Sequence, residues 1–388
     1  ISGGITSAQF QIYHADTFKF LRWVKAERFN ADLAQLFANQ EIKIIAPTHG
    51  NAIKKDIGLH VRRLQQAIHH ICAAFAQEDV DPQPKAPGRT PKAAISPPPT
   101  TPGAPDVKLF GQGIERVGVR QVTPHIFWIT HCLGDLAQQY YQDYFSFLPN
   151  AGDYTGQRIV DYPFSAFLIV DEQTLLIDTG APRQEKATLA ALEFALGGRA
   201  LDYLWISHVE LPHAGNAPAI LRQYPQARLV SVSGGDHYQL HSLQDALLVS
   251  PGEVIELGQH TLEMVDPLFV DHGLSQWAYE RETGFLFTAD WGHNLHEPAC
   301  GECFLFLDEM LAGSYTTDLF VDDVKVNAWY QFPWLVWTDP QEIAAAVGDL
   351  FQRYQVNILA PSHGNLIRRE TGRYVPYLQE GMRQAARM

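Results

Sequence analysis

The chain has 388 residues and a formal net charge of -14, which leave room for two domains and argue against an extended basic surface for nucleic acid. The acidic balance also argues against anionic membranes, no apolar run reaches membrane-spanning length, and no signal peptide opens the chain. Four cysteines do not make a disulfide framework in a chain this long. We therefore expect a soluble, cytoplasmic protein that partners neither nucleic acid nor membrane.

Residues 1–77 have the pattern of a small α/β piece. Apolar spacing predicts helices at 29–38 and 61–75 and a short buried strand at 42–46. Residues 78–106 differ sharply, because the stretch from Pro82 to Asp106 contains nine prolines and no aromatic residue. Such a segment cannot bury enough apolar surface to fold, so we expect an extended linker.

Residues 107–388 have the pattern of a second domain. Strand patterns come first and then alternate with helices, which is typical of a layered α/β domain. The predicted strands are 126–130, 165–170, 174–177, 201–206, 228–232, 253–257, 261–265, 277–280, 284–288 and 356–360. The predicted helices are 185–196, 217–224 and 340–354.

An internal repeat links the two parts of the chain. The segment IIAPTHGNAIKKDIG, which begins at Ile44, aligns without a gap with ILAPSHGNLIRRETG, which begins at Ile358. A repeat of this kind predicts that residues 1–77 are a partial second copy of the end of the 107–388 domain.

The partial copy carries a large apolar face. Its members are Phe18, Trp23, Leu36, Phe37, Ile44 and Ile45. Leaving such a face in water costs on the order of 25 cal/mol per Å² and invites aggregation. We expect an absent upstream part of the copy, or a second chain, to cover it, and we therefore expect a dimer or a tandem pairing of domains.

The stretch SHVELPHAGN, from Ser207 to Asn216, concentrates groups that can bind a metal. It follows an apolar run and carries His208, Glu210 and His213 within six residues. In an extended loop, residues two apart point to the same side, so His208 and Glu210 can face one point. Two imidazoles and a carboxylate at a strand end indicate a metal site, although a surface loop with scattered histidines fits three residues as well.

This stretch resembles the metal motif of the metallo-β-lactamase fold. Hydrolases of that fold carry H-x-H-x-D-H, whereas the flavodiiron version carries H-x-E-x-D-H, and Glu210 places this chain with the latter. The chain departs from both at Pro212, where they have an aspartate ligand for the second metal. The resemblance extends over roughly 117–386 and implies an αββα four-layer sandwich.

Further family elements follow in the expected order. Asp178, in LLIDTG, is similar to an aspartate that braces the metal loop, Asp290 ends GFLFTAD like the bridging ligand, and His363 stands in APSHGN like the last ligand. In the segment VDHGLSQ a gapless match selects Asp271, and a one-residue deletion selects His272, which we prefer slightly. The resemblance implies a first metal on His208, Glu210 and His272 or Asp271, and a second on His213 and His363, with Asp290 bridging.

The resemblance implies three functions in order of preference. The first is a non-haem iron oxidoreductase with one or two ions, which acts on a small molecule such as O2 or NO. Its electrons would come from a partner protein, because no flavin-binding module is visible. The second is a metallo-hydrolase that uses zinc or manganese, and the third is a non-catalytic metal-binding or sensor module. Pro212 weakens both enzymatic interpretations.

Other metal-type residues have simpler interpretations. Cys300 and Cys303 form a lone CxxC near His293 and His296, which predicts a lid loop with two free thiols, with a redox pair as the alternative. We expect solvated loop positions for His237 and His241, and surface or packed positions on a helix for His69 and His70. His49 aligns with His363 but lacks partner motifs.

Overall fold

Two β-sheets form the centre of the fold in the computed structural model. The structure describes residues 19–40, 42, 45, 56–77, 106–132, 160–232, 246–271, 274–297 and 300–388. The first sheet contains β1 (Val107–Phe110), β2 (Val117–Thr123), β3 (Ile126–His131), β4 (Ser165–Val170), β5 (Thr174–Ile177), β6 (Tyr203–Trp205), β7 (Arg228–Val232) and β8 (Leu247–Val249). They lie in chain order, antiparallel from β1 to β5 and parallel from β5 to β8.

The second sheet has six described strands. They are β9 (Val254–Glu256), β10 (Thr261–Val265), β11 (Trp277–Glu280), β12 (Phe285–Phe287), β13 (Ile358–Ala360) and β14 (Ile367–Arg368). The spatial order is β14-β13-β12-β11-β10-β9, and β12 and β13 pair in parallel. That parallel pair needs a long crossover, which the helices between the two strands provide.

Helices cover the outer face of each sheet. They are α3 (Glu185–Leu196), α4 (Leu211–Ala214), α5 (Ala217–Gln223), α6 (Leu307–Met310), α7 (Thr317–Gln331), α8 (Pro340–Arg353) and α9 (Val375–Ala385). Leu192 of α3 and Ile220 of α5 pack on the first sheet. Between the sheets, Phe167 meets Phe285 with ring centroids 5.4 Å apart. The four layers are those of the predicted αββα sandwich.

An N-terminal segment packs on this sandwich. It consists of a short 3-10 helix (Lys19–Arg22), α1 (Ala26–Asn39) and α2 (Ile57–Gln77). The Trp23 indole donates to the carbonyl of Leu268 at 3.0 Å, and its ring contacts Phe269. For Trp23 the expected cover, an absent segment or a second chain, was wrong, because the second domain of the same chain covers it. Leu36 stays 52% exposed.

Most predicted elements of the second domain are confirmed, several with the same bounds. Of the strand predicted at 42–46 the structure describes only Ile42, which has no regular secondary structure, and Ile45, which forms a single β-bridge. The linker, Phe18, Ile44, His49, His237, His241 and His272 lie outside the described residues. Within the described part of the chain, none of the helices combines the length and the apolarity needed to cross a membrane.

Candidate metal centre

Loops that leave the carboxyl ends of several strands meet at one edge of the sandwich. The parallel pairing of β12 with β13 places Asp290 beside His363, because both residues lie three positions beyond their strands. The loop after β6 brings His208 to the same edge. The edge therefore gathers side chains that lie far apart in the sequence, as parallel strands do in other α/β sheets.

The Asp290 carboxylate lies at the centre of the group. Its Oδ1 is 3.2 Å from Nε2 of His213 and 3.3 Å from Nε2 of His363, and its Oδ2 is 3.7 Å from Nε2 of His208. All four side chains are buried. A single carboxylate that faces three imidazoles through both oxygens has the placement of a bridging ligand.

Hydrogen bonds at the far side of two rings orient the near nitrogens. Nδ1 of His363 donates to the carbonyl of Pro163 at 2.9 Å, and Nδ1 of His213 donates to Asp178 at 2.7 Å. When each ring is neutral, its Nε2 therefore directs a lone pair at Asp290. Among the described residues, Nε2 of His213 and Oδ1 of Asp290 are buried without a hydrogen-bond partner. Lone pairs that face a buried carboxylate oxygen fit a cation between them.

A second set of donors surrounds His208. Its Nε2 lies 3.9 Å from Oε2 of Glu210 and 3.8 Å from Oδ2 of Asp271. Ser275 donates to the other oxygen of Asp271 at 3.0 Å, which fixes that carboxylate. His208, Glu210, His213 and Asp290 each offer a ligand atom, and these atoms all lie within 4.8 Å of one another. Asp271, one of the two alternatives from the sequence, therefore lies beside His208, whereas the other alternative, His272, lies outside the described residues.

The aspartate at the end of β5 braces the metal loop. Oδ1 of Asp178 accepts from the backbone N–H of Ser207 at 2.8 Å, and Oδ2 accepts from the hydroxyls of Ser207 and Ser362 at 3.0 and 3.1 Å. The same Oδ2 accepts from His213. Its backbone has a positive φ of 59°, a region that Asp and Asn tolerate better than most residues.

The protonation balance of the group shows how strongly its charges interact. Burial lowers the pKa of His213, but the attraction of Asp290 and Asp178 outweighs burial and holds that pKa well above its usual value. Burial raises the pKa of Asp290, but His213, His363 and His208 hold it well below its usual value. Burial and the neighbouring charge of Asp290 raise the pKa of Asp271 to about 6. The carboxylates of the centre therefore stabilise positive charge beside them, as a bound cation would supply.

Pro212 contributes no ligand. It lies in the first turn of α4, a position where proline is favoured because the missing N–H has no helical partner. The described side chains beside Asp290 that could bind a second metal ion are then His213 and His363. Glu210 precedes this helix, and its side chain is 51% exposed.

Three contacts at the centre were not predicted from the sequence. Gln331, at the end of α7, donates to Oδ2 of Asp290 at 3.0 Å. Tyr162 stacks on the His363 ring at 4.2 Å, and its hydroxyl lies 3.3 Å from Nε2 of His293. Burial lowers the pKa of His293 to about 3, so this ring is neutral. No local motif distinguishes these residues, because each acts through a contact between distant segments.

The prediction of two free thiols was wrong for Cys303. Its sulfur bonds to that of Cys132, which lies 171 residues earlier. Cys300 is free and exposed. The CxxC spacing suggested a local pair, whereas the partner that packs against Cys303 comes from the end of β3.

The comparisons with known proteins agree with this geometry. Residues 160–323 match the model of the metallo-beta-lactamase superfamily. The chain contains a metallo-beta-lactamase domain. The structure of a flavodiiron protein from Giardia intestinalis is similar to it with a TM-score of 0.50 and 13% identity, over 68% of this chain and 59% of that one. A Thermotoga maritima flavoprotein gives 0.51 and 15%, over 70% and 60%. The fold of the metallo-beta-lactamase domain is thus that of flavodiiron proteins.

Curated relatives show the same relation in sequence. A nitric oxide reductase of Moorella thermoacetica is 26% identical over 221 residues, which are 55% of this chain and 51% of that protein. A rubredoxin-oxygen oxidoreductase of Megalodesulfovibrio gigas is 29% identical over 122 residues, 29% of this chain and 30% of that protein. The chain therefore spans about half of the first relative and less of the second.

Proposed function

We propose that the metallo-beta-lactamase domain binds iron and acts as an oxidoreductase on a diatomic gas such as O2 or NO. The observation that carries the proposal is the Asp290 carboxylate, which faces His208, His213 and His363 through two oxygens. The relatives named above support it, because their names describe the reduction of nitric oxide or oxygen.

The donor set fits iron. His208, Glu210 and Asp271 would hold one ion, His213 and His363 would hold the other, and Asp290 would bridge them. Mixed imidazole and carboxylate donors suit iron, whereas a soft site would offer thiolates. Bound iron would supply a redox-active centre at which a diatomic molecule can accept electrons.

The protein's own residues prepare this centre. Asp178 keeps a proton on Nδ1 of His213, and the carbonyl of Pro163 keeps one on Nδ1 of His363, so both rings present Nε2. Gln331 holds the orientation of Asp290. Burial of the three imidazoles excludes water, and Glu210, half exposed, leaves the side near His208 open to a small substrate.

The electrons would come from a partner protein. The donor groups at the centre are imidazoles and carboxylates, which do not carry electrons themselves. The acidic composition of the chain favours a docking surface for a donor with a basic face. We keep a cytoplasmic location in the proposal because four cysteines are too few for a disulfide framework, although Cys132 and Cys303 are paired in this structure.

A pairing of two domains within one chain is part of the proposal. The repeat aligns residue 44 with residue 358 and, at the same offset, residue 20 with residue 334. Phe20 stacks on Trp334 with ring centroids 5.6 Å apart. Contact between equivalent positions is what a two-fold arrangement produces at its axis. It supports a tandem pairing in which residues 1–77 end a second copy of the domain.

Metal analysis of the full chain, purified without added metal, tests the function. Iron with near-ultraviolet absorption, together with consumption of O2 or NO in the presence of a reduced donor protein, is the expected result. Asp290→Asn should lose both the iron and the gas consumption, whereas Asp202→Asn, away from the centre, should retain them. Zinc with esterase activity would instead favour a hydrolase. A folded protein that binds no metal would overturn the proposal.

A further inference from the structure

A second group of metal-type side chains lies outside the centre described above. It consists of Cys132, Asp161, His296 and Cys303, whose ligand atoms all lie within 4.8 Å of one another. Cys132, Asp161 and His296 are each 1% exposed or less. None of the four belongs to the Asp290 group. Two sulfurs, one imidazole and one carboxylate form a donor set different from that of the first centre.

The amide of Asn365 fixes the tautomer of His296. Its Nδ2 donates to the carbonyls of Glu302 and Leu305 at 3.3 and 2.6 Å, so its Oδ1 must be the atom that faces the imidazole. Oδ1 of Asn365 lies 3.1 Å from Nδ1 of His296. An amide oxygen only accepts, and Nδ1 therefore carries the proton. Nε2 of His296 is left with a lone pair.

That lone pair faces two other electron-pair donors. Nε2 of His296 lies 3.7 Å from Sγ of Cys132 and 3.8 Å from Oδ2 of Asp161. A separation of 3.8 Å is too long for a hydrogen bond. A nitrogen, an oxygen and a sulfur that converge in this way are arranged like ligands around a cation.

The positions of Cys132 and Cys303 are compatible with a disulfide and also with two thiolates that bind one metal ion. In this structure Cys132 and Cys303 form a disulfide with their Cα atoms 5.9 Å apart. The same backbone separation also suits two thiolates on one tetrahedral zinc, where Zn–S bonds of about 2.3 Å place the sulfurs roughly 3.8 Å apart. The disulfide alone gives Nε2 of His296 no hydrogen-bond donor among the described residues. A metal state would use all four side chains.

We propose that Cys132, Asp161, His296 and Cys303 bind one Zn²⁺ when both thiols are reduced. Each thiol would release its proton to solvent as its sulfur binds the ion, and no electrons are transferred. Two thiolates and an imidazole favour zinc, and four protein ligands leave no open position. The site is therefore structural rather than catalytic.

The proposed zinc site lies next to the residues that support His363. Asp161 lies directly before Tyr162, which stacks on His363, and Pro163, whose carbonyl accepts from the same ring. The backbones of Asp161 and His296 form an isolated β-bridge. A zinc ion on these side chains would link the segment that supports His363 to the segment that contains His296.

Cobalt provides a direct test on the full chain. The protein is reduced and titrated anaerobically with Co²⁺, and the thiolate-to-cobalt charge-transfer absorption is followed. The described residues of the Asp290 centre include no cysteine, so this absorption distinguishes the proposed site from iron-type binding. We expect the band in the wild type and in Cys300→Ser and its loss in Cys303→Ser. Asn365→Ala should weaken cobalt binding about 10–100-fold, because Asn365 orients the imidazole.

Thiol reactivity gives a second test that needs no variant to fold. The reduced wild-type protein is alkylated with and without Zn²⁺, and each cysteine is quantified by mass spectrometry. Zinc should slow the modification of Cys132 and Cys303 and leave Cys300 unchanged, with Cys72 as a further reference. Equal rates with and without zinc, or no cobalt band in folded reduced protein, would overturn the proposal and leave a disulfide only. Neither outcome bears on iron at Asp290.

Discussion

Asp178→Asn is the most informative single change near the metal centre, because it keeps the shape of the side chain. If its Nδ2 takes the place of Oδ2, it meets the N–H at Nδ1 of His213, and the ring must move that proton to Nε2 to relieve the conflict. If Nδ2 takes the place of Oδ1, it meets the backbone N–H of Ser207. In either orientation the Nδ2 donor faces another N–H donor in a buried region. The backbone is not a further source of strain, because Asn tolerates the positive φ as well as Asp does.

The expected loss is large enough to measure. Replacing a carboxylate that orients a ligating histidine typically weakens metal affinity about 10–100-fold, which corresponds to roughly 1.4–2.8 kcal/mol. An unsatisfied buried donor also lowers the free energy of unfolding by about 1–3 kcal/mol. Affinity is measured by anaerobic Fe²⁺ titration against a competing chelator, and stability by urea unfolding of the metal-free protein.

A matched variant separates the two effects. Asp202→Asn also removes a carboxylate acceptor, since Oδ2 of Asp202, directly before β6, accepts from the backbone N–H of Thr174, the first residue of β5, at 2.8 Å. It should lower stability and leave iron affinity unchanged. If Asp178→Asn folds and binds iron like the wild type, the tautomer of His213 does not depend on Asp178, and the bracing argument is wrong.

Four further predictions follow from the geometry. Glu210→Gln should lower metal occupancy, measured by elemental analysis, because its carboxylate faces the His208 position. Metal titration should show one tight and one weak site, and Pro212→Asp should strengthen the weak one by restoring a carboxylate. Glu280→Gln should lower the free energy of unfolding by about 2 kcal/mol near pH 5.5, where Glu280 forms an ion pair with charged His260, and this loss should shrink at higher pH. Trp23→Ala should lower the unfolding midpoint in urea by removing the contact with Phe269.

The pH dependence of the Glu280 effect has a definite sign. Burial lowers the pKa of His260, but Glu280, 3.1 Å away, raises it above 6.5, so the pair stabilises below pH 6.5 and its contribution fades as pH rises through the raised pKa. Burial raises the pKa of Glu280, but His260 and Thr283 hold it below 4.5, so its own contribution fades only in acid. Glu282→Gln is the control, and an equal cost at pH 9 would contradict the reasoning.

The predictions for Glu210, Pro212 and Trp23 each have an outcome that would contradict them. Unchanged metal content in Glu210→Gln with activity lost would mark that carboxylate as a base and not a ligand. Equal and full occupancy of both sites in the wild type would show that another group replaces the carboxylate absent at Pro212. An unaltered urea midpoint for Trp23→Ala would show that the N-terminal segment does not contribute to the stability of the domain.

The strands that the sequence predicted best include two in which nearly every residue is buried. The strands Ser165–Val170 and Thr174–Ile177 were predicted with their observed bounds, because they are apolar runs that end at turn residues. Helix α7 was missed because its buried face includes Asp323 and Asn327, which interrupt the apolar period. Asp323 is tolerated there because it accepts from the Tyr315 hydroxyl at 2.5 Å and from a backbone N–H at 3.1 Å.

The metal centre likewise contains residues that the sequence predicted and residues that it did not predict. His208, Asp290 and His363 were predicted from motifs at strand ends, and the structure brings them together. Gln331 and the pairing of Cys132 could not be predicted, because neither depends on neighbouring residues in the chain. Local spacing records where a strand ends, but it does not record which distant helix or strand packs against that end.

The docking of the N-terminal segment has a consequence for the metal. Lys19 and Arg22 form ion pairs with Asp266, and the Trp23 indole donates to the carbonyl of Leu268. The N-terminal segment therefore contacts the residues that directly precede Asp271. These ion pairs are partly exposed to solvent and contribute little on their own, and the indole contact contributes more. If metal binding orders Asp271, it also favours the docked segment, and by linkage a docked segment raises metal affinity by the same factor. Proteolytic release of the first 77 residues should therefore weaken metal binding through Asp271, although no contact joins Asp271 to the described residues of that segment.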